Sequence, residues 1–207
     1  EYVFILEGTT LTVDYRIVGT RTANQMIFLQ FERPSKGVWK ILVYPKNYVY
    51  GTFHMWLPIS AFLESPVYFL SSNPDVTLTV PGTASTPMTV AGYDDGSGAL
   101  YLDSGRGYTT DGSIKPDFAA PAVNVEGPEG MEHTGTSYAA AITAGAAAMF
   151  LEWAVVRGNL PAANTADVKS EFIRGAVQTP GMLYPNREWG YGKLDLARTF
   201  LNLAGLS

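Results

Sequence analysis

The chain has 207 residues, 46% of them hydrophobic and 16% charged, and its net charge is −5. The hydrophobic fraction is that of a globular protein, and the low charged fraction excludes disorder driven by charge. The acidic balance argues against a nucleic-acid partner. The absence of cysteine excludes disulfides, thiolate metal sites and a cysteine nucleophile. We expect no cofactor and no bound metal ion, and the length allows one or two domains.

Residues 1 to about 80 are predicted to be all-β. The first seven residues have a strand pattern and lack the basic start and cleavage site of a signal peptide, as if the chain continued something longer. Residues 11–18 alternate with period two, and β-branched or aromatic runs occupy residues 38–44 and 48–53. Several short strands between turn residues predict a jelly-roll-like domain over residues 1–80.

The pattern changes after residue 80, where short strands, loops rich in glycine and proline, and helices follow one another. This mixture predicts an α/β domain over residues 81–207. The expected strands are 88–91 and 99–102, and the expected helices are 137–156, 165–176 with Thr165 as the N-cap, and 194–203.

The first of these helices is almost uncharged. It is built largely of alanine and contains Glu152, so we interpret it as a buried helix and expect no membrane partner. Gly145 lies within an alanine-rich stretch of this helix. A glycine in a helix costs about 1 kcal/mol relative to alanine, which predicts close packing against another backbone at this position.

The segment from Gly135 to Ala139 (GTSYA) places a serine at the start of this helix. The first N–H groups of a helix have no intrahelical partner and can stabilise an oxyanion, so Ser137 is a candidate nucleophile supported by Gly135 and Thr136. The alternative is that Ser137 only caps the helix, a role that serine performs well.

Three segments together resemble the subtilisin-like serine proteases. Residues 104–121 (SGRGYTTDGSIKPDFAAP) resemble the stretch that precedes the active serine in that family, 135–140 with 144–145 resemble its serine motif, and 190–195 (GYGKLD) resemble its closing motif. The resemblance implies a protease, with Ser137 as the nucleophile and its backbone N–H in the oxyanion hole.

A narrower resemblance covers nearly the whole chain. Residues 56–58, 151–153 and 184–190 (YPNREWG) look like the clostridial Csp-type subtilases, which carry a β jelly roll inserted between the oxyanion-hole Asn and the catalytic Ser. The chain would then be the C-terminal part of the catalytic domain, preceded by the insertion. The resemblance also implies a secreted or spore-associated location and a protein or peptide substrate.

Some positions depart from the family pattern. Ala141 and Tyr108 replace prolines and Ala122 replaces a glycine, which affects backbone shape rather than proton transfer. The family's Asp, His and oxyanion-hole Asn motifs have no counterpart in the 207 residues, and we interpret His54 and His133 as structural rather than as the general base. The isolated chain is therefore expected to be inactive without the upstream part of the same protease.

Other functions fit these residues less well. The segment around Ser137 is close to the nucleophile elbow of α/β-hydrolases, but no histidine follows the serine as that triad order requires. Residues 94–98 (DDGSG) are interpreted as a turn rather than a calcium loop. The remaining alternative is non-catalytic: a pseudoprotease scaffold, or a β domain that binds a protein or glycan.

Overall fold

A computed structural model describes residues 1–18, 24–44 and 52–205. The chain divides into two compact units, Glu1–Thr52 and Phe53–Ser207. Ten regular elements are described, not counting short 3-10 turns and one π-helical turn. They are β1 (Tyr2–Leu6), β2 (Thr9–Val18), β3 (Asn24–Glu32), β4 (Val90–Tyr93), β5 (Phe118–Pro121), β6 (Val125–Glu126), β7 (Glu132–His133), α1 (Thr136–Leu151), α2 (Thr165–Gly175) and α3 (Leu196–Leu203).

The first unit contains an antiparallel sheet in the order β1-β2-β3. A two-residue turn joins β1 to β2, where Glu7 and Gly8 both have positive φ (49° and 82°), as the tightest hairpin turns require. The sheet agrees with the expected all-β character of this region. Its three strands are fewer than the eight of a jelly roll, so that architecture and the boundary at residue 80 stay predictions.

The strand expected at residues 38–44 does not form. Within the described part of the chain this run pairs with no neighbouring strand, and a β-branched sequence becomes a strand only when its backbone groups find such a partner. Most of the strand expected at residues 48–53 lies outside the described residues.

The second unit is built around the parallel pair β4–β5, where Val90 lies opposite Phe118 in register. The α1 helix faces this pair with Ala139, Thr143, Ala146 and Phe150, a spacing of three to four residues that keeps one stripe of the helix buried. The core of this unit contains a phenylalanine from each of β5, α1 and α2, namely Phe118, Phe150 and Phe172. Val168 and Ala154 pack with them.

The predicted helices form with small shifts in their boundaries. A π-helical turn, Glu152–Val156, extends α1 to the predicted end, and Gly158 with φ 76° follows it. The N-cap of α2 is Asn164 rather than Thr165, because the Asn164 side chain and the Asp167 carboxylate form a reciprocal capping box.

The expectation for Gly145 is wrong in this structure. Gly145 is exposed, and a Cβ added there would meet nothing within 4 Å. The buried stripe of α1 runs through Thr143 and Ala146, and Gly145 lies off that stripe with its exposed neighbour Ala144. Among the described residues, Thr136–Val156 is the one helix long and apolar enough to cross a membrane by length and composition, and 28% of an 18-residue stretch of it is buried.

Candidate active site

The strands β4 and β5 place the candidate serine at their carboxyl ends. After β5, the Ala122 amide donates to the carbonyl of Tyr93 at the end of β4 (2.8 Å), and the Ala122 carbonyl accepts from the Gly135 amide (2.8 Å). The serine segment is therefore attached directly to the edge of the parallel pair. Ligands of open α/β sheets bind at this carboxyl edge.

Gly135 makes the turn that starts α1. Its φ of 149° lies in a region that side chains rarely adopt, and it is the N-cap residue of the helix. Before it, the Thr134 hydroxyl accepts from the Asn124 amide (3.1 Å), so two hydrogen bonds hold the approach to the helix. Gly135 therefore shapes the turn that leads into α1, and Thr136 is the first residue of the helix.

Ser137 occupies the second position of α1, and its side chain is exposed. The N-cap of α1 is Gly135, and no side chain donates or accepts a capping hydrogen bond there, so Ser137 is not the cap of this helix. Its N–H belongs to the first turn of the helix, where amides lack an intrahelical acceptor and the helix dipole is positive. The arrangement provides an accessible hydroxyl beside a free amide donor.

Two residues on the sheet side are needed for this placement. A Cβ at Gly92 would lie 2.6 Å from the Ala122 Cβ and 3.2 Å from the Thr136 Cγ2, so only glycine lets the serine segment approach β4. The Gly92 amide donates to the buried Ser104 hydroxyl (2.9 Å). Ser104 begins the motif at residues 104–121, but neither its contact with Gly92 nor the role of Gly92 was predicted, although a glycine inside a strand is a signal of close backbone approach.

Neither histidine is paired with Ser137 in the described residues. The His133 ring stacks on Tyr138 with a centroid distance of 5.0 Å and an interplanar angle of 13°. The His54 ring stacks on Trp56 at 5.6 Å. These contacts give both histidines an aromatic packing role in the described part of the chain.

A buried ion cluster anchors the start of β5. Asp117, with 3% of its side chain exposed, accepts from the Lys115 and Lys169 ammonium groups (2.7 and 2.8 Å) and from the Thr89 amide (2.7 Å). Burial lowers the pKa of Lys115, and the Asp117 carboxylate opposes that shift. The cluster joins α2 and the segment before β4 to the strand that leads toward Ser137.

The remaining carboxylates near this edge hold loops in place through hydrogen bonds. Asp94 accepts from the Gly96 amide and the Ser97 hydroxyl (3.0 and 2.6 Å), which agrees with the turn interpretation, and the Ser97 hydrogen bond lowers the pKa of Asp94. Burial and then a hydrogen bond to Asp95 raise the pKa of Tyr93 to about 12. Across the described residues, no group of His, Asp or Glu side chains is arranged to hold a metal ion.

The family is decided by a sequence model of the subtilases, which matches residues 64–192. The chain belongs to the subtilase family. The matched segment contains β4, β5 and α1 together with Ser137. The stretch at residues 104–121 and the serine motif lie within it, and the closing motif at residues 190–195 begins in it.

Solved structures of proteases are similar to the chain. The CspB protease of Clostridium perfringens is 34% identical, with a TM-score of 0.62 over 65% of this chain and 30% of its own. The prenylagaramide maturation protease PagA is 27% identical, with a TM-score of 0.52 over 63% of this chain and 47% of its own. The patellamide maturation protease PatA shares the fold at 24% identity and a TM-score of 0.52, over 65% of this chain and 49% of its own.

The subtilase chain therefore spans between 30% and 49% of the lengths of these three structures. No curated protein matched the sequence significantly. The family and the fold of the C-terminal region are confirmed by these comparisons, and the likeness to CspB agrees with the Csp-type resemblance noted in the sequence.

Proposed function

We propose that the chain is the serine-bearing part of a subtilisin-type endopeptidase and that Ser137 is its nucleophile. The observation that carries this proposal is the exposed Ser137 hydroxyl at the N-terminus of α1, at the carboxyl edge of β4–β5, in a chain of the subtilase family. An accessible serine next to unpaired helix amides suits attack on a carbonyl better than it suits a capping role.

In this mechanism the Ser137 Oγ attacks the peptide carbonyl while its proton passes to a histidine in the rest of the protease. The negative charge that develops on the carbonyl oxygen is stabilised by the Ser137 N–H and by an Asn side chain from the same upstream part. The histidine then protonates the leaving amine, and water releases the acyl group from Ser137.

The open face of α1 supports the presence of a further packing layer. Small residues on this face are exposed, and a bare apolar helix face in an α/β domain is normally covered by another element. They are Ala140, Ala141, Ala144, Gly145 and Ala148. We propose that the part of the protease carrying Asp, His and Asn packs there and completes the site.

The experiment compares the 207-residue chain with the full-length protein. A fluorophosphonate probe should label Ser137 in the full-length protein and leave the isolated chain unlabelled, since the histidine that activates the hydroxyl is missing from it. Ser137→Ala should abolish labelling and peptide hydrolysis. Ser97→Ala, a change at another exposed serine, is the matched control and should keep both.

Failure of the full-length protein to be labelled would reject the nucleophile and favour the non-catalytic alternative, a pseudoprotease scaffold or a binding module. Labelling of the isolated chain that Ser137→Ala removes would show instead that a base lies within these 207 residues. Either result changes the assignment of roles.

A further inference from the structure

The side chain of Lys193 ends between two aromatic rings. Its Nζ lies 4.5 Å from the centroid of the Tyr93 ring and 5.3 Å from a ring centroid of Trp189. Both aromatic residues are buried, and their ring centroids are 5.7 Å apart. In the part of the chain that the structure describes this ammonium group forms no salt bridge, and the electron-rich faces of the two rings attract its charge.

This contact lies on the face of the β4–β5 sheet that α1 does not cover. The backbone of Lys193 forms a parallel bridge with Ala119 in β5, and Ala119 lies opposite Ala91 in β4. Paired residues point to the same face, and so does Tyr93, which follows Ala91 by two residues. The residues of β4 and β5 that pack with α1 alternate with these and point to the other face. The lysine stem therefore crosses β5 to reach the end of β4.

Lys193 is itself fixed at both ends. Its backbone N–H donates to the Val177 carbonyl, and its carbonyl accepts from the Val177 amide, each at 2.8 Å. At the other end, a Cβ at Gly98 would lie 3.6 Å from the Lys193 Nζ, so the ammonium group also reaches the turn that follows β4. Because the backbone of the lysine is anchored, its side chain restrains the Tyr93 ring rather than following it.

The end of β4 that Lys193 holds is also the anchor of the serine segment. The Tyr93 carbonyl accepts from the Ala122 amide, and the Ala122 carbonyl accepts from the Gly135 amide, each at 2.8 Å. Gly135 makes the turn into α1 two residues before Ser137. A shift of the Tyr93 backbone would therefore move the turn that presents the serine.

We infer that Lys193 is a positioning residue of the protease. Its ammonium group fixes the Tyr93 ring, and the Tyr93 carbonyl holds the segment that presents Ser137. Since the lysine contacts the sheet on the face away from α1, it acts on the placement of the attacking hydroxyl rather than on the binding of substrate. The inference rests on the proposed function.

The test measures kcat and KM for a peptide substrate of the full-length protease, and it compares Lys193→Met with Lys193→Arg. Methionine keeps an unbranched stem without the charge, whereas arginine keeps a cation that binds ring faces. We expect Lys193→Met to lower kcat by roughly tenfold to a hundredfold with KM nearly unchanged, because a misplacement of about 1 Å can cost about a hundredfold in rate. Lys193→Arg should keep most of kcat.

A double-mutant cycle tests the contact with the ring. In Tyr93→Leu, which lacks the ring, Lys193→Met should cause little further loss of kcat. In Tyr93→Phe, which keeps a ring, Lys193→Met should cause its full loss.

Three results would overturn the inference while the probe still labels Ser137 in the wild type. They are an unchanged kcat in Lys193→Met, whatever its unfolding midpoint, equal losses of kcat in the Met and Arg variants, and equal effects of Lys193→Met in the two Tyr93 backgrounds. If the probe does not label Ser137 in the wild type, the proposed function and this inference fail together.

Discussion

Large apolar residues are exposed in the sheet β1–β2–β3 and buried in the aromatic cluster around α1. In the sheet, Ile5 is 78% exposed and Phe28 is 56% exposed, whereas Phe118 and Phe172 in the second unit are fully buried. Both regions have sequences rich in apolar and aromatic residues. In the second unit α1 and α2 supply a layer against the strands, and the described residues of the first unit supply none to the sheet.

This difference shows that an apolar sequence pattern predicts which face of a strand or helix should be covered, but does not identify the element that covers it. The subtilase match at residues 64–192 lies entirely in the second unit, where the elements cover one another. The comparison between the units can be tested by changing matched residues in each, beginning with the largest expected effect.

The largest effect should come from phenylalanine truncation. Phe172 contacts the rings of Phe118 and Phe150 at centroid distances of 6.0 Å, so Phe172→Ala should lower the free energy of unfolding by about 3–5 kcal/mol. Phe28→Ala in the sheet should cost less than about 1 kcal/mol because much of the ring is already exposed. Urea unfolding of both variants of the 207-residue chain measures the contrast. Equal losses would mean that the sheet is covered in solution.

The second contrast concerns ion pairs. Asp117→Ala leaves the buried Lys115 without its carboxylate and should cost about 3–5 kcal/mol, whereas Asp14→Ala removes an exposed pair with Arg16 and should cost about 1 kcal/mol or less. Chemical denaturation at low and high salt measures both. A loss at Asp117 that disappears in high salt would contradict its burial, since only exposed pairs are strongly screened.

A smaller loss is expected where α2 packs against α3. A Cβ at Gly175 would lie 2.8 Å from the Thr199 Cα and 2.9 Å from its N, both of them backbone atoms that cannot rotate away. Gly175→Ala should therefore destabilise the chain by about 1–3 kcal/mol through overpacking. Thermal unfolding gives the value, and an unchanged midpoint would show that the two helices separate easily.

The sequence predicted the elements near Ser137 well because strong local signals mark them. An uncharged alanine-rich run predicted α1, and a glycine–threonine–serine segment predicted the position of Ser137 at its start. The strand expected at residues 38–44 does not form. Whether such a run becomes a strand depends on a pairing partner from a distant part of the sequence, which the local periodicity does not reveal. The glycine in β4 signals a close approach of another backbone, but the sequence does not show that the partners of Gly92 are Ser104, Ala122 and Thr136, which lie about 12 to 44 residues away.

The smallest effect tests the open face of α1 at Gly145. In the 207-residue chain a Cβ at this position meets nothing within 4 Å, so Gly145→Ala should raise the free energy of unfolding by up to about 1 kcal/mol through helix propensity. Ala144→Gly, the reverse change at the exposed neighbouring position, is the matched control and should lower it by a similar amount. In the full-length protease the rest of the domain is proposed to cover this face, and a backbone packed closely against Gly145 would cancel or reverse the gain there. Chemical denaturation of each variant, in the 207-residue chain and in the full-length protein, distinguishes an open face from a covered one. A stabilisation of the same size in the two chains would show that α1 keeps this face open, and the proposed packing of the upstream part against it would be wrong.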